Sequence, residues 1–209
     1  MGLKPGKTTL AAVGAAALVL ALTGCGEKER RGASSGDMTE IAPASPTTTG
    51  SFPAGEPVVA QFNEFEDSAA ITYNQTVVPK GSNVEVLVQS QGSGTTVRLA
   101  VEGLEANRDY GAHVHVNACG AEPEQAGPHY QNRKDPKTPS VNPEYANPEN
   151  EIWLDLSTDD RGNAEAESTV DWQFREGEGQ SIVIHDMHTK TGEGEAGTAG
   201  DRLACVNIR

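Results

Sequence analysis

Gly111-Ala-His-Val-His-Val116 is the stretch on which the reading of this chain turns. It alternates apolar and polar residues, the period-two pattern of a half-buried strand. Alternation sends His113 and His115 to one face and Val114 and Val116 to the other. Two imidazoles about 7 Å apart along a strand can lean together onto one ion. Imidazole suits copper, zinc, iron and nickel. The pair alone is a weak signal, because any half-buried strand can carry two polar residues. Its weight comes from the other histidines. The chain has five, His113, His115, His129, His185 and His188, all in its second half and each beside a strand-like run or a turn.

Working outward, the flanking runs are short, β-like and separated by turn residues. They are Ile71–Val78, Val84–Val88, Thr96–Val101, the His113/His115 strand, Ile152–Leu156, Asn163–Glu167, Ser181–Ile184 and Leu203–Ile208. About eight strands with no amphipathic helix predict an all-β antiparallel sandwich or barrel. Two segments break the rhythm, a Pro/Asn/Glu-rich loop over 117–150 and a Gly/Glu/Thr-rich loop over 188–201. Long loops in a compact domain usually carry function or lack order, and both of these start beside a histidine.

The N-terminus has a different character. Lys4 and Lys7 precede an apolar run from Thr8 to Ala21, and Leu22-Thr-Gly-Cys25 follows at once. This reads as an export signal over residues 1–24, too short for a comfortable membrane span. The small residues before Cys25 resemble a bacterial lipobox, so Cys25 is the expected site of lipidation and the anchor to the outer side of the cell membrane. Residues 25–66, charged at first and then rich in Ser, Thr, Pro and Gly, read as a disordered tether, leaving 67–209 as the folded domain. With Cys25 spent on lipid, Cys119 and Cys205 remain, and an even pair outside the cytosol is normally a disulfide. Removing residues 1–24 takes out two lysines and no acid, so the formal charge goes from −14 to −16. Such a chain repels nucleic acid and anionic lipid, and an anionic substrate must be drawn by a local positive field.

His129 lies in Ala126-Gly-Pro-His-Tyr130, His185 ends an apolar strand, and Arg202 starts the last strand three residues before Cys205. A Cys119–Cys205 bridge would gather His113, His115, His129 and Arg202 into one region. In order, His113-Val-His115, Ala126–Tyr130, Ile182-Val-Ile-His185 and Gly197-Thr-Ala-Gly-Asp-Arg-Leu-Ala-Cys205 resemble the signature segments of the copper/zinc superoxide dismutases. Val101–Leu104 and Asp159–Gly162 are similar as well, and the resemblance spans about residues 67–209. It implies an eight-stranded Greek-key β-barrel that disproportionates superoxide to oxygen and hydrogen peroxide. It implies that His113, His115, His129 and His185 ligate copper, and that Cys119 and Cys205 form the family disulfide. By the same resemblance His129 is the bridging histidine that takes up a proton during the cycle, and Arg202 holds the superoxide anion.

The departures are informative. The family's zinc site needs two further histidines and an aspartate after the bridging one, and no histidine lies between His129 and Ile152. Asp135, Glu144 and Glu149 are better read as solvated loop acids. The expectation is therefore copper without zinc, in a more open site, with a carboxylate or carbonyl holding the far nitrogen of His129. Glu193 and Glu195 are the candidates. His188 reads as an exposed loop residue or a rim ligand for incoming copper. The competing function is a non-enzymatic copper-binding or copper-delivery lipoprotein on the same fold, which would have no use for Arg202. The resemblance leaves a homodimer open.

Overall fold

The computed structural model describes residues 55–65 and 69–208. The export signal, Cys25 and most of the expected tether lie outside them. Nine strands are formed: β1 Val58–Asn63, β2 Ala70–Thr72, β3 Asn83–Gln91, β4 Gly94–Glu102, β5 Asp109–His115, β6 Leu156–Ser157, β7 Ala164–Val170, β8 Ser181–His185 and β9 Arg202–Asn207. Their order in the sheet is β6-β5-β8-β9-β2-β1-β3-β4-β7, and β6 and β7 at its two ends come close together, so the barrel is nearly closed. Around that wall β5, β6 and β7 follow one another. β4, which leads into β5, lies beyond β7, and β8, which follows β7, lies beside β5. These two crossings are Greek keys. All ladders are antiparallel except β1 with β2.

Two differences from the sequence reading have physical causes. The sheet begins at Val58, inside the stretch expected to be tether. Val58, Ala60 and Phe62 alternate inward there, and Phe62 is fully buried in the core. That strand, β1, is the ninth, and the run Ile152–Leu156 does not pair along its length. It contributes one bridge, Trp153 with His113, before the short strand β6.

The alternation of β5 holds. Ala112 and Val114 enter the barrel core with Ile182 and Ile184 of β8 and Val206 of β9. His113 and His115 point the other way, yet both are fully buried, because the two long loops cover the outside of the barrel there. The first loop and the run that follows it lie along β5 as a broken strand. Val116 N–H donates to Pro128 O (3.1 Å), Tyr130 N–H to Val114 O (2.7 Å) and Leu154 N–H to Ala112 O (2.7 Å). A 3₁₀ turn at Pro123–Ala126 packs Ala126 against Val183 of β8 and Cys205 of β9, and Cys119–Cys205 is a disulfide.

Candidate metal centre

Three elements bring the histidines together. His113 and His115 come from the outer face of β5. His185 ends β8, paired with Gly111, and the first loop sets His129 opposite His115. Ring centroids lie 4.1 Å apart for His113–His129, 4.9 Å for His113–His185 and 4.8 Å for His115–His129. One nitrogen from each of the four rings falls within 4.8 Å of the others. Among the described residues this is the one group of His, Cys, Asp or Glu side chains close enough to hold a metal ion.

The hydrogen bonds decide which nitrogens are free. His115 Nδ1 lies 2.8 Å from Gly127 O, and His185 Nδ1 lies 3.4 Å from Gly200 O. A carbonyl only accepts, so both Nδ1 atoms carry the proton and both Nε2 atoms keep a lone pair. The two Nε2 atoms are 3.4 Å apart. His129 Nδ1 lies 2.8 Å from Glu151 Oε2, which leaves its Nε2 free. His113 is turned around. Its Nε2 meets the Thr189 hydroxyl at 2.6 Å, and its Nδ1 is buried with no hydrogen-bond partner. An orphaned buried nitrogen among three other imidazole lone pairs is what a metal ligand looks like before the metal binds.

Electrostatics keep three of the four rings, His113, His115 and His185, unprotonated. Burial first, and the neighbouring imidazoles second, hold His113 and His115 well below the ordinary histidine value. Burial pushes His185 down to about 3. A ligating imidazole must be neutral, so the site is prepared for a cation.

The partner of His129 corrects the expectation about Glu193 and Glu195. The 188–201 loop folds back on itself, with Glu195 paired to Lys190 at 3.0 Å and Glu193 exposed. Glu151 takes the position instead. It is 1% exposed, and its Oε2 accepts from His129 Nδ1 and Trp153 Nε1, both at 2.8 Å. Its Oε1 accepts from Gln131 Nε2, also at 2.8 Å. The available signal was a carboxylate set directly before the apolar run Ile152-Trp-Leu154, a position that points into the fold. Asp135 accepts from Ser140 Oγ and Lys137 N–H, Glu144 pairs with Arg133, and neither they nor Glu149 belongs to the cluster. His188 is also separate, with its Nε2 3.2 Å from Leu156 O and 3.3 Å from Ser157 Oγ.

Arg202 donates through its two terminal nitrogens to Pro123 O (2.8 Å) and Gly127 O (2.7 Å). It forms no ion pair among the described residues, with Asp201 or any other acid. Gly127 O thus holds both a cluster histidine, His115, and this cation. A cavity of about 990 Å³ opens above them, with His129, His185, Arg202, Lys134 and Lys137 in its wall.

Comparison with known proteins agrees with this geometry. The family model of copper/zinc superoxide dismutase (SODC) matches residues 82–208. The fold is similar to that of the Cu/Zn superoxide dismutase from Brucella abortus, with 20% identity, a TM-score of 0.50, and coverage of 74% of this chain and 100% of that one. A SOD-like protein from Bacillus subtilis, solved as a double mutant, is 16% identical with a TM-score of 0.49, over 72% of this chain and 95% of that one. No curated protein matches the chain. The match of the family model over most of the chain, with the fold and the histidine cluster beneath it, makes this chain a member of the copper/zinc superoxide dismutase family.

Proposed function

We propose that the protein is an exported, copper-dependent superoxide dismutase that converts superoxide to oxygen and hydrogen peroxide on the outer side of a bacterial cell membrane, anchored there through lipid on Cys25. One observation carries the reading: four imidazole lone pairs converge beside a cavity whose wall also presents an arginine unpaired with any acid among the described residues.

The residues fit copper. The donors are all imidazole nitrogens, which serve both oxidation states, and each far nitrogen is held by a partner that fixes its proton. His113 would bind through Nδ1, and His115, His129 and His185 through Nε2. Bound copper would supply a one-electron couple that one superoxide reduces and the next reoxidises. The protein's own residues do the rest. Arg202, fixed by two carbonyls, offers its charge to a small anion beside His129 and His185. His129, with 18% of its side chain exposed while His113 has none, is placed to take and pass on the protons that peroxide formation consumes. Glu151 already engages Nδ1 of His129, the nitrogen a second metal would need, which supports a dismutase that works without zinc.

Export and anchoring rest on the basic and apolar N-terminus, the Leu22–Cys25 motif, and a disulfide suited to an oxidising compartment. Among the described residues no helix is long and apolar enough to cross a membrane.

The test loads the metal-free protein with copper alone and measures bound metal and superoxide consumption together. The expected result is one copper, no zinc and fast turnover that falls about tenfold or more in Arg202→Ala while copper stays bound. Stoichiometric copper with negligible turnover would leave a copper-binding or copper-delivery lipoprotein. Cys25→Ser is expected to move the protein from the membrane fraction to the soluble one.

A further inference from the structure

Thr189 is engaged three ways. Its backbone N–H donates to Asp155 Oδ2 (2.8 Å), its hydroxyl donates to Asp155 Oδ1, and His113 Nε2 stands 2.6 Å from the same hydroxyl oxygen. The carboxylate itself lies 4.0 Å from His113 Nε2, too far for a direct hydrogen bond. A hydroxyl has one proton, and an ionised carboxylate only accepts. The proton of Thr189 therefore goes to Asp155, and Oγ1 meets His113 with a lone pair. His113 must then carry its proton on Nε2, which leaves Nδ1 bare. Nδ1 is the buried atom without a partner. It also belongs to the one cluster histidine that presents Nδ1 inward, where the other three present Nε2.

The backbone makes room for this arrangement. A Cβ at Gly111 would stand 2.7 Å from Ala199 Cβ and from Met187 O, and 3.3 Å from Thr189 Oγ1. Glycine at that point lets the second loop lie on β5 and deliver the Thr189 hydroxyl over His113.

We propose that Asp155 and Thr189 form a carboxylate–hydroxyl relay that fixes His113 in its Nε2–H tautomer and aims Nδ1 at the metal. Both are positioning residues. The relay deepens the copper reading and rests on it for the identity of the ion, whereas the tautomer is a property of the metal-free protein.

Asp155→Asn tests the relay with almost no change of shape. The amide oxygen can still accept the Thr189 N–H, but the amide nitrogen turns a donor toward Oγ1. The hydroxyl proton, released from Asp155, is then free to go to His113 Nε2, which shifts the proton of His113 toward Nδ1. Long-range ¹H–¹⁵N spectra of the labelled metal-free protein read each histidine tautomer directly. Wild type and Thr189→Ser are expected to show Nε2–H at His113, Asp155→Asn to show Nδ1–H, and Thr189→Val to show a mixture. Titration with Cu(II) against a competing chelator is expected to show affinity falling about 10- to 100-fold in Asp155→Asn and Thr189→Val but not in Thr189→Ser. A wild-type tautomer and wild-type Cu(II) affinity in both Asp155→Asn and Thr189→Val would overturn the relay. Normal tautomers and tight copper in a protein that fails to consume superoxide would support the relay and overturn the dismutase reading.

Discussion

Glu151 shows how much one side chain settles at the scale of the residue. A carboxylate is buried only when its oxygens are bonded, and this one accepts from His129, Trp153 and Gln131. Glu151→Gln keeps the shape but replaces an acceptor with a donor facing other donors. It should cost about 1–3 kcal/mol of stability, read by thermal unfolding. Copper affinity should fall about tenfold or more as His129 loses its fixed tautomer, read by Cu(II) titration. Gly127 has φ +75°, and a Cβ there would sit 2.8 Å from Val116 Cγ2 and Asn117 Nδ2. Because its carbonyl holds both His115 and Arg202, Gly127→Ala should destabilise by about 1–3 kcal/mol and slow superoxide consumption as well. The four histidines were legible in sequence because the chain has five in all. Glu151 was not, because it is one of 30 acidic residues and only burial sets it apart.

At the scale of elements, period-two patterns located β3, β4 and β7, whose two faces differ in burial, the His-Val alternation located β5, and largely apolar runs located β8 and β9. β1 went unread because it follows a long Ser/Thr/Pro/Gly stretch, and its alternation is half-masked by Val59, 70% exposed. The path of the first loop beside β5 could not be read at all, since its ladder runs through Pro128 and Tyr130 with no strand-like pattern. What pins that loop is legible, namely Cys119 bound to Cys205, 86 positions apart. Replacing both cysteines with serine should lower stability by about 4 kcal/mol in the chain-entropy model, measured by denaturant unfolding. The local hold does not vanish, because Cys119 N–H still donates to Asn207 Oδ1 (2.8 Å) and Tyr73 O–H to Gly120 O (2.8 Å). The loss should therefore appear more in the unfolding midpoint than in the copper affinity of the folded protein.

At the scale of the whole molecule, a chain of formal charge −14 buries three imidazoles, His113, His115 and His185, that burial holds neutral, and the contrast makes stability depend on pH. His113 and His115 are held well below the ordinary value of 6.5, and His185 is pushed down to about 3, with burial the leading cause for all three. In the metal-free protein the folded values lie below the unfolded one. As pH falls, the unfolded chain therefore binds protons that the folded barrel refuses. This part of the stability is complete above about pH 7 and is lost progressively below 6.5, each histidine withdrawing on the order of 1 kcal/mol per pH unit until its folded value is reached. Denaturant midpoints of the metal-free protein should be level from pH 8 to 7 and fall steeply from 6.5 to 5, before the surface carboxylates begin to titrate. A midpoint that holds level to pH 5 would mean that these imidazoles accept protons in the folded barrel as readily as in the open chain, and that the cluster is not closed to water in the metal-free state.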